Sequence, residues 1–277
     1  MKGKLAPHVL VMSATPIPRT MALVLYGDLD VSVVDELPPG RKEVRTRIVS
    51  EKKRQDMYGF IQRAVEAGQQ AYVVCPLVED SEMMDAASAA QTVQEMRKAM
   101  PDVRIELLHG RMKSEEKDRI LQGFAAHESD VLVSTTVIEV GVNVPNATIM
   151  VIEDAERFGL AQLHQLRGRV GRGDQQSWCF LMADPSERMK TMASTTDGFV
   201  IARKDLELRG PGELMGSRQS GMLDEKILRL ASDGPLMDKV TKAVDAIFAQ
   251  PKAEENRQLM VYARRMMEQR GLFVARN

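Results

Sequence analysis

The sequence contains few cysteines, few aromatic residues and almost no net charge, and each of these features excludes a class of protein. Its two cysteines, Cys75 and Cys179, are too few for a disulfide framework or a zinc module. Aromatic residues make up only 4% of the chain, which argues against a surface that stacks the bases of a single strand. The 38 lysines and arginines are balanced by 39 aspartates and glutamates, which excludes a strongly basic, histone-like binder but not a local basic site.

Long hydrophobic runs, targeting signals and several site motifs are also missing. No apolar stretch approaches the ~18–20 residues of a membrane span, and the N-terminus lacks the layout of a signal peptide. The 4 histidines have no spacing typical of metal ligands, so no metal-binding residue is predicted. The motif G-x-x-x-x-G-K-S/T does not occur, so no loop of this sequence is predicted to hold the phosphates of ATP. Together these features predict a soluble protein of a reducing compartment.

Short apolar segments alternate with helical patterns over most of the chain. Several of these segments are continuous apolar runs, which is typical of strands buried on both faces of a parallel sheet. Between them, apolar residues such as those from Met57 to Val65 follow the spacing of one helix face. The predicted fold class is therefore α/β, a parallel sheet flanked by helices. The candidate strands are residues 8–12, 44–49, 71–75, 105–108, 131–134, 148–152 and 178–182.

The pattern changes after Asp184, where the strands stop and a mainly helical region begins. Apolar stripes with helical spacing run from Val240 to Phe248 and from Leu259 to Met267. The small and acidic segment 79–90 is expected to form a mobile loop.

The strongest local signal is the segment QLHQLRGRVGRG, residues 162–173. Its arginines, Arg167, Arg169 and Arg172, are interleaved with glycines that let the backbone come close to a partner. Guanidinium groups suit phosphate oxygens because they donate in pairs and keep their charge. The segment therefore predicts a phosphate site. One alternative is a solvated basic turn, and a poorer one is a dinucleotide-binding loop, whose glycines would run in the opposite order.

This segment resembles motif VI of the superfamily 2 helicases, which has the pattern Q-x-x-G-R-x-x-R. VSTTVIEVGVNVP, residues 133–145, resembles motif V, and SATP, residues 13–16, resembles motif III. A closer similarity is to the RecG family of bacterial fork-remodelling helicases. It is carried by DELPPGR at 35–41, LHGRM at 108–112, DLELRGPGEL at 205–214 and QSG at 219–221. The last two resemble the translocation motif of that family.

The resemblance implies a RecA-like parallel sheet and a division of the chain into four parts. These are a remnant of motor domain 1 (1–27), a linker (28–44), the RecA-like helicase C-terminal domain or motor domain 2 (45–184), and a helical region with a translocation hairpin and loop (185–277). Because the similarity begins just upstream of motif III, the chain is expected to be a C-terminal piece of a longer protein.

The resemblance also implies roles for individual residues. Gln165, Arg169 and Arg172 are the expected catalytic residues, with the two arginines reaching the γ-phosphate of ATP. Gly141 and Asn143 are expected to bind nucleotide together with these arginines, although the family usually has an acid where Asn143 stands. Thr135 has the alternative of simply ending a strand, and Ser13 and Thr15 that of capping a helix. The expected DNA-binding or coupling residues are Ser13, Thr15, Thr135, Thr136, Arg209, Gly210 and Gln219.

The implied function is that of an ATP-dependent DNA helicase acting on stalled forks and Holliday junctions, with this chain inactive by itself. ATP and Mg²⁺ would be held mainly by motor domain 1, and branched double-stranded DNA and a single-strand binding protein would be the partners. The expected location is the bacterial cytoplasm, at the nucleoid. Two alternatives remain: a transcription-repair coupling translocase, which the DELPPGR segment disfavours, and a non-catalytic DNA-binding module with a helicase-like fold.

Overall fold

The computed structural model describes residues 10, 12, 32, 34, 42–77, 82–135, 144–209, 234–250 and 253–269. The chain divides into two compact units. Among the described residues, those up to Leu208 belong to the first unit, and those from Arg209 onward belong to the second. In the part of the chain that is described, no helix has the length and apolar character needed to cross a membrane.

The first unit is built on a six-stranded parallel sheet with the strand order β1-β6-β5-β2-β4-β3. The predicted α/β fold class is confirmed, and six of the seven predicted strands are present. The seventh, at residues 8–12, lies outside the described residues apart from Leu10 and Met12. The strands are β1 (Arg45–Val49), β2 (Gln70–Cys75), β3 (Ile105–Leu108), β4 (Val131–Thr135), β5 (Ala147–Ile152) and β6 (Trp178–Met182).

The central strands have no polar face because the sheet is covered by helices on both sides. Every residue of β2, β4 and β5 is buried, as the continuous apolar runs predict for a parallel sheet. Alternate side chains enter two separate core clusters, so that Tyr72 and Val74 belong to one cluster and Val73 and Cys75 to the other. The covering helices are α1 (Arg54–Glu66), α2 (Glu82–Ala99), α3 (Ser114–Ala125), α4 (Leu160–Arg167), α5 (Glu187–Ser194) and α6 (Gly198–Arg209).

The prediction of a loop at residues 79–90 is wrong for the residues that the structure describes. Residues from Glu82 onward form α2, while 78–81 lie outside the described residues. The helix is stabilised by burial further along, where Ala89, Val93 and Met96 are at most 4% exposed in the second core cluster. Glu, Met and Ala make up most of residues 82–90 and are good helix formers, so local propensity and this tertiary packing act together.

The first compact unit continues past residue 184, where the sequence predicts the end of the RecA-like domain. Met189 and Met192 on α5, and Ile201 on α6, are at most 1% exposed and belong to the first core cluster. The predicted helical character of the remaining chain is confirmed for its described parts. In the second unit, the two apolar stripes lie on α7 (Gly234–Ala249) and α8 (Glu254–Gln269).

Candidate functional site

The arginine-rich segment begins on α4 and continues as an irregular loop of residues 168–177 that leads into β6. Helix α4 starts after Gly159, whose backbone N–H donates to Oε1 of Gln162 at 3.1 Å. Its buried face carries Leu160 and Leu163, both fully buried in the first core cluster. This packing fixes the helix on the sheet, and the loop that follows starts from a defined position.

The arginines predicted as one group have different environments. Arg169 is half-buried and Arg172 is exposed on the loop, whereas Arg167 is only 3% exposed. Nη1 of Arg167 donates to the carbonyl oxygens of Met192 and Thr195, both at 2.8 Å. Burial lowers the pKa of Arg167, an expected cost of placing this guanidinium in the interior.

Arg167 is therefore a structural tie between α4 and the end of α5, not a phosphate ligand. Its Nη2 also lies 3.1 Å from Nδ1 of His164, one turn earlier on the same helix. A signal for this role is present in the sequence. Leu160, Leu163 and Arg167 are spaced i, i+3 and i+7, which places Arg167 on the buried face of α4.

The glycines of the loop bring its backbone close to neighbouring parts of the same chain. Gly171 has a left-handed φ of +76°, and a Cβ at this position would lie 2.9 Å from Cγ2 of Val44. A Cβ on Gly173 would lie 3.3 Å from the carbonyl oxygen of Pro145. Val170, which lies between α4 and Gly171 in the sequence, is fully buried. The loop that carries Arg169 and Arg172 is thus packed tightly on the body of the domain.

The two loop arginines form a positively charged region near β2. Burial raises the pKa of Tyr72 to about 12, and the charges of Arg172 and Arg169 act in the opposite direction. Both charges that act on Tyr72 are guanidinium groups, which suit a phosphate group. Among the described residues, no group of three His, Cys, Asp or Glu side chains could hold a metal ion.

The loop arginines and Thr135 lie at opposite ends of the sheet strands. The arginine loop precedes β6 and contacts residues 145 and 69, just before β5 and β2, so it lies at the amino ends of the strands. Thr135 is the last residue of β4, at the carboxyl ends. Five residues of strand separate these edges by roughly 15 Å. The segment 136–143, which joins β4 to β5, lies outside the described residues.

Thr135 is 1% exposed, and its Oγ1 makes no hydrogen bond to another described residue. Contact of Thr135 with a DNA phosphate therefore stays a prediction. Gln165 is exposed on α4, and Arg209 ends α6. The other predicted site residues, Ser13, Thr15, Thr136, Gly141, Asn143, Gly210 and Gln219, lie outside the described residues.

A buried ion pair at the carboxyl end of β5 was not anticipated from the sequence. Arg54, at the start of α1, donates to both carboxylate oxygens of Glu153 at 2.7 and 2.9 Å. The side chains of the pair are 17% and 9% exposed, and Tyr58 and Glu51 also bond to Arg54. Burial raises the pKa of Glu153, while the hydrogen bond and charge of Arg54 oppose this rise. The pair ties α1 to the segment that leads into α4.

The parallel sheet flanked by helices is the fold of the RecA-like C-terminal domain of helicases. Residues 52–174 match the family described as "Helicase conserved C-terminal domain", and residues 195–274 match "ATP-dependent DNA helicase RecG, domain 3, C-terminal". The chain belongs to the RecG family of ATP-dependent DNA helicases.

Three known proteins illustrate this similarity. The ATP-dependent DNA helicase RecG of Acidithiobacillus ferridurans is 51% identical over 240 residues, which are 84% of this chain and 35% of that protein. The Bacillus subtilis protein of the same name is 46% identical over 258 residues, 89% of this chain and 38% of its own length. A solved structure of RecG bound to a three-way DNA junction is 48% identical, with a TM-score of 0.64, and covers 80% of this chain and 30% of that one. The chain thus spans about a third of the length of the relatives it matches.

Proposed function

We propose that this chain supplies the second motor domain and the translocation region of an ATP-dependent DNA helicase that unwinds and branch-migrates stalled forks and Holliday junctions. The observation that carries the proposal is the pair Arg169 and Arg172, presented on a loop packed against the domain at one edge of the sheet. The relatives are named ATP-dependent DNA helicases, and the related structure contains a three-way DNA junction.

In this proposal the arginines act on a nucleotide that another domain holds. ATP and Mg²⁺ bind mainly to a first motor domain, and closure of the two domains brings Arg169 and Arg172 to the γ-phosphate. Their planar guanidinium groups then stabilise the charge that spreads over the transferred phosphoryl oxygens. Gln165, one turn before Arg169, takes part in catalysis at the same edge of the sheet as the arginines. Gly141 and Asn143 contact the nucleotide.

Groups that bind DNA or couple its movement to ATP hydrolysis act elsewhere in the proposed enzyme. Thr135 and Thr136, at the carboxyl end of β4, donate to backbone phosphates, which positions DNA without reading its sequence. The remaining coupling residues are Ser13, Thr15, Arg209, Gly210 and Gln219. The partners are branched double-stranded DNA and a single-strand binding protein at the bacterial nucleoid.

The proposal is tested with the full-length protein, in which this chain is joined to a first motor domain. The substrate is a three-way DNA junction with one labelled strand, and a linear duplex with the same arm sequences is the control. We expect ATP-dependent conversion of the junction, no conversion without ATP, and little on the linear duplex. A protein that binds the junction but never converts it with ATP would contradict the proposal.

The chain alone should not hydrolyse ATP. It contains no P-loop motif, so most contacts to the triphosphate are missing and the two arginines have no bound phosphate to act on. The measurement is phosphate release by the purified chain, with and without junction DNA, after contaminating ATPases have been removed. DNA-stimulated turnover that follows the chain through purification would show that the nucleotide site is complete within these residues.

A further inference from the structure

The loop of residues 168–177 has no regular secondary structure of its own, yet the proposed chemistry requires its arginines in a defined place. Gly171 and Gly173 fix the first part of the loop by close packing on Val44 and Pro145. The second part, between Gly173 and β6, is exposed at Asp174 and Gln175. Arg172 stands between the two glycines, directly before this second part, so we expect side-chain hydrogen bonds that hold Gln175 to restrict the movement of Arg172 as well.

A chain of hydrogen bonds connects the interior of the sheet to this part of the loop. Oγ1 of Thr148 donates to Oε1 of Gln69 at 2.8 Å, and Nε2 of Gln69 donates to Oε1 of Gln175 at 2.8 Å. Thr148 belongs to β5 and is 2% exposed. Because the threonine hydroxyl engages the amide oxygen of Gln69, the amide nitrogen is turned towards the loop.

Gln69 is itself held by the end of α1 and by its own backbone. Gly68 takes a left-handed φ of +80° just after the helix, and its N–H donates to the carbonyl oxygen of Val65 at 2.8 Å. The N–H of Gln69 donates to the carbonyl oxygen of Ala64 at 2.9 Å. This arrangement is a common way to end a helix, and it fixes the backbone from which the Gln69 side chain reaches the loop.

We propose that Gln69 is a positioning residue for Arg172 and Arg169. Oriented by Thr148, it holds Gln175 and thereby the loop in the place from which the arginines reach the γ-phosphate. The inference rests on the proposed function and deepens it, because Gln69 would affect ATP turnover through the position of the arginine loop. A misplacement of a reacting group by about 1 Å can cost about 100-fold in rate, so a single hydrogen bond to this loop can have a large effect on turnover.

The test uses the full-length protein and four variants. Gln69→Ala removes both hydrogen bonds, Thr148→Val removes the hydroxyl that orients the amide, and Thr148→Ser keeps that hydroxyl. Gln62→Ala is the matched control, because Gln62 lies on α1, the helix that precedes Gln69, and makes a side-chain hydrogen bond to Glu66 at 3.3 Å on the surface. For each protein, kcat and KM for ATP are measured with junction DNA. Amide hydrogen exchange of the 168–177 peptide and the melting temperature are measured in parallel.

We expect Gln69→Ala to lower kcat by about 10- to 100-fold while KM for ATP changes by less than about threefold. Its loop should exchange faster, and its melting temperature should stay near that of the parent. Thr148→Val should show the same pattern more weakly, while Thr148→Ser and Gln62→Ala should resemble the parent. A Gln69→Ala variant with parental kcat, or with losses that follow a lowered melting temperature, would overturn the inference. An unmodified protein without DNA-stimulated ATPase would instead overturn the proposed function, and the inference with it.

Discussion

Replacing Arg172 by alanine in the full-length protein should reduce DNA-stimulated ATP turnover by about 10³–10⁵-fold, as the loss of an arginine finger does in phosphoryl-transfer enzymes. This corresponds to roughly 4–7 kcal/mol of transition-state stabilisation. The effect should fall on kcat, because the guanidinium meets charge that develops during transfer. Arg172 is exposed on its loop, so the fold and junction binding should be nearly intact. The measurement is steady-state ATP turnover with saturating junction DNA.

Two further variants accompany this measurement: one tests whether positive charge alone explains the effect, and the other is a control. Arg172→Lys should restore little, because an ammonium group cannot reproduce the planar pair of donors. Arg119→Ala is the control, since Arg119 is exposed on α3, which follows the edge strand β3, whereas the arginine loop leads into β6 near the opposite edge of the sheet. Near-normal ATPase in Arg172→Ala, with unwinding lost, would make Arg172 a coupling residue and leave the chemistry to Arg169.

The second large effect concerns the buried ion pair. Arg54→Met should lower the free energy of unfolding of the domain by about 3–5 kcal/mol, because it leaves the carboxylate of Glu153 buried without its partner. The loss should shrink as the pH falls. Burial raises the pKa of Glu153, and without Arg54 this rise is larger, so the folded state takes up a proton before the unfolded state does. Chemical denaturation at several pH values measures both effects.

Two controls accompany this measurement. Arg63→Met removes an exposed arginine from the same helix and should change stability by no more than about 0.5 kcal/mol. Adding Glu153→Leu to Arg54→Met removes the unpaired charge and should recover much of the lost stability. A destabilisation of Arg54→Met that is unchanged at low pH would show that the charge of Glu153 is not its cause.

The sheet could be predicted from the sequence because its strands are fully buried. Continuous apolar runs such as those in β2, β4 and β5 have few alternatives once helical patterns separate them. The strand order could not be predicted, since apolar runs carry no information about which strands are neighbours. The helix at residues 82–90 was missed because its small residues and two acids were interpreted as a loop, although Ala, Met and Glu are good helix formers.

The site was predictable only in part because residue type does not report environment. Arg167, Arg169 and Arg172 have the same chemistry in the sequence, yet one of them is buried and bonded to carbonyl oxygens. Gln69 lies 79 residues from Thr148 and 106 from Gln175, so nothing local indicates that the three are linked. Only the folded sheet brings the turn after α1, the start of β5 and the arginine loop to one edge.

Trapping of a transition-state mimic tests the central claim most directly, namely that Arg172 acts on the phosphoryl group during transfer. The full-length protein and its Arg172→Ala variant are incubated with labelled ADP, Mg²⁺, aluminium fluoride and junction DNA, and the retained ADP is measured. We predict that the parent protein retains ADP in a fluoride-dependent complex. The variant should bind ADP alone with similar affinity but fail to form that complex. A variant that traps ADP as well as the parent would contradict the assignment of Arg172 as the residue that stabilises the transition state.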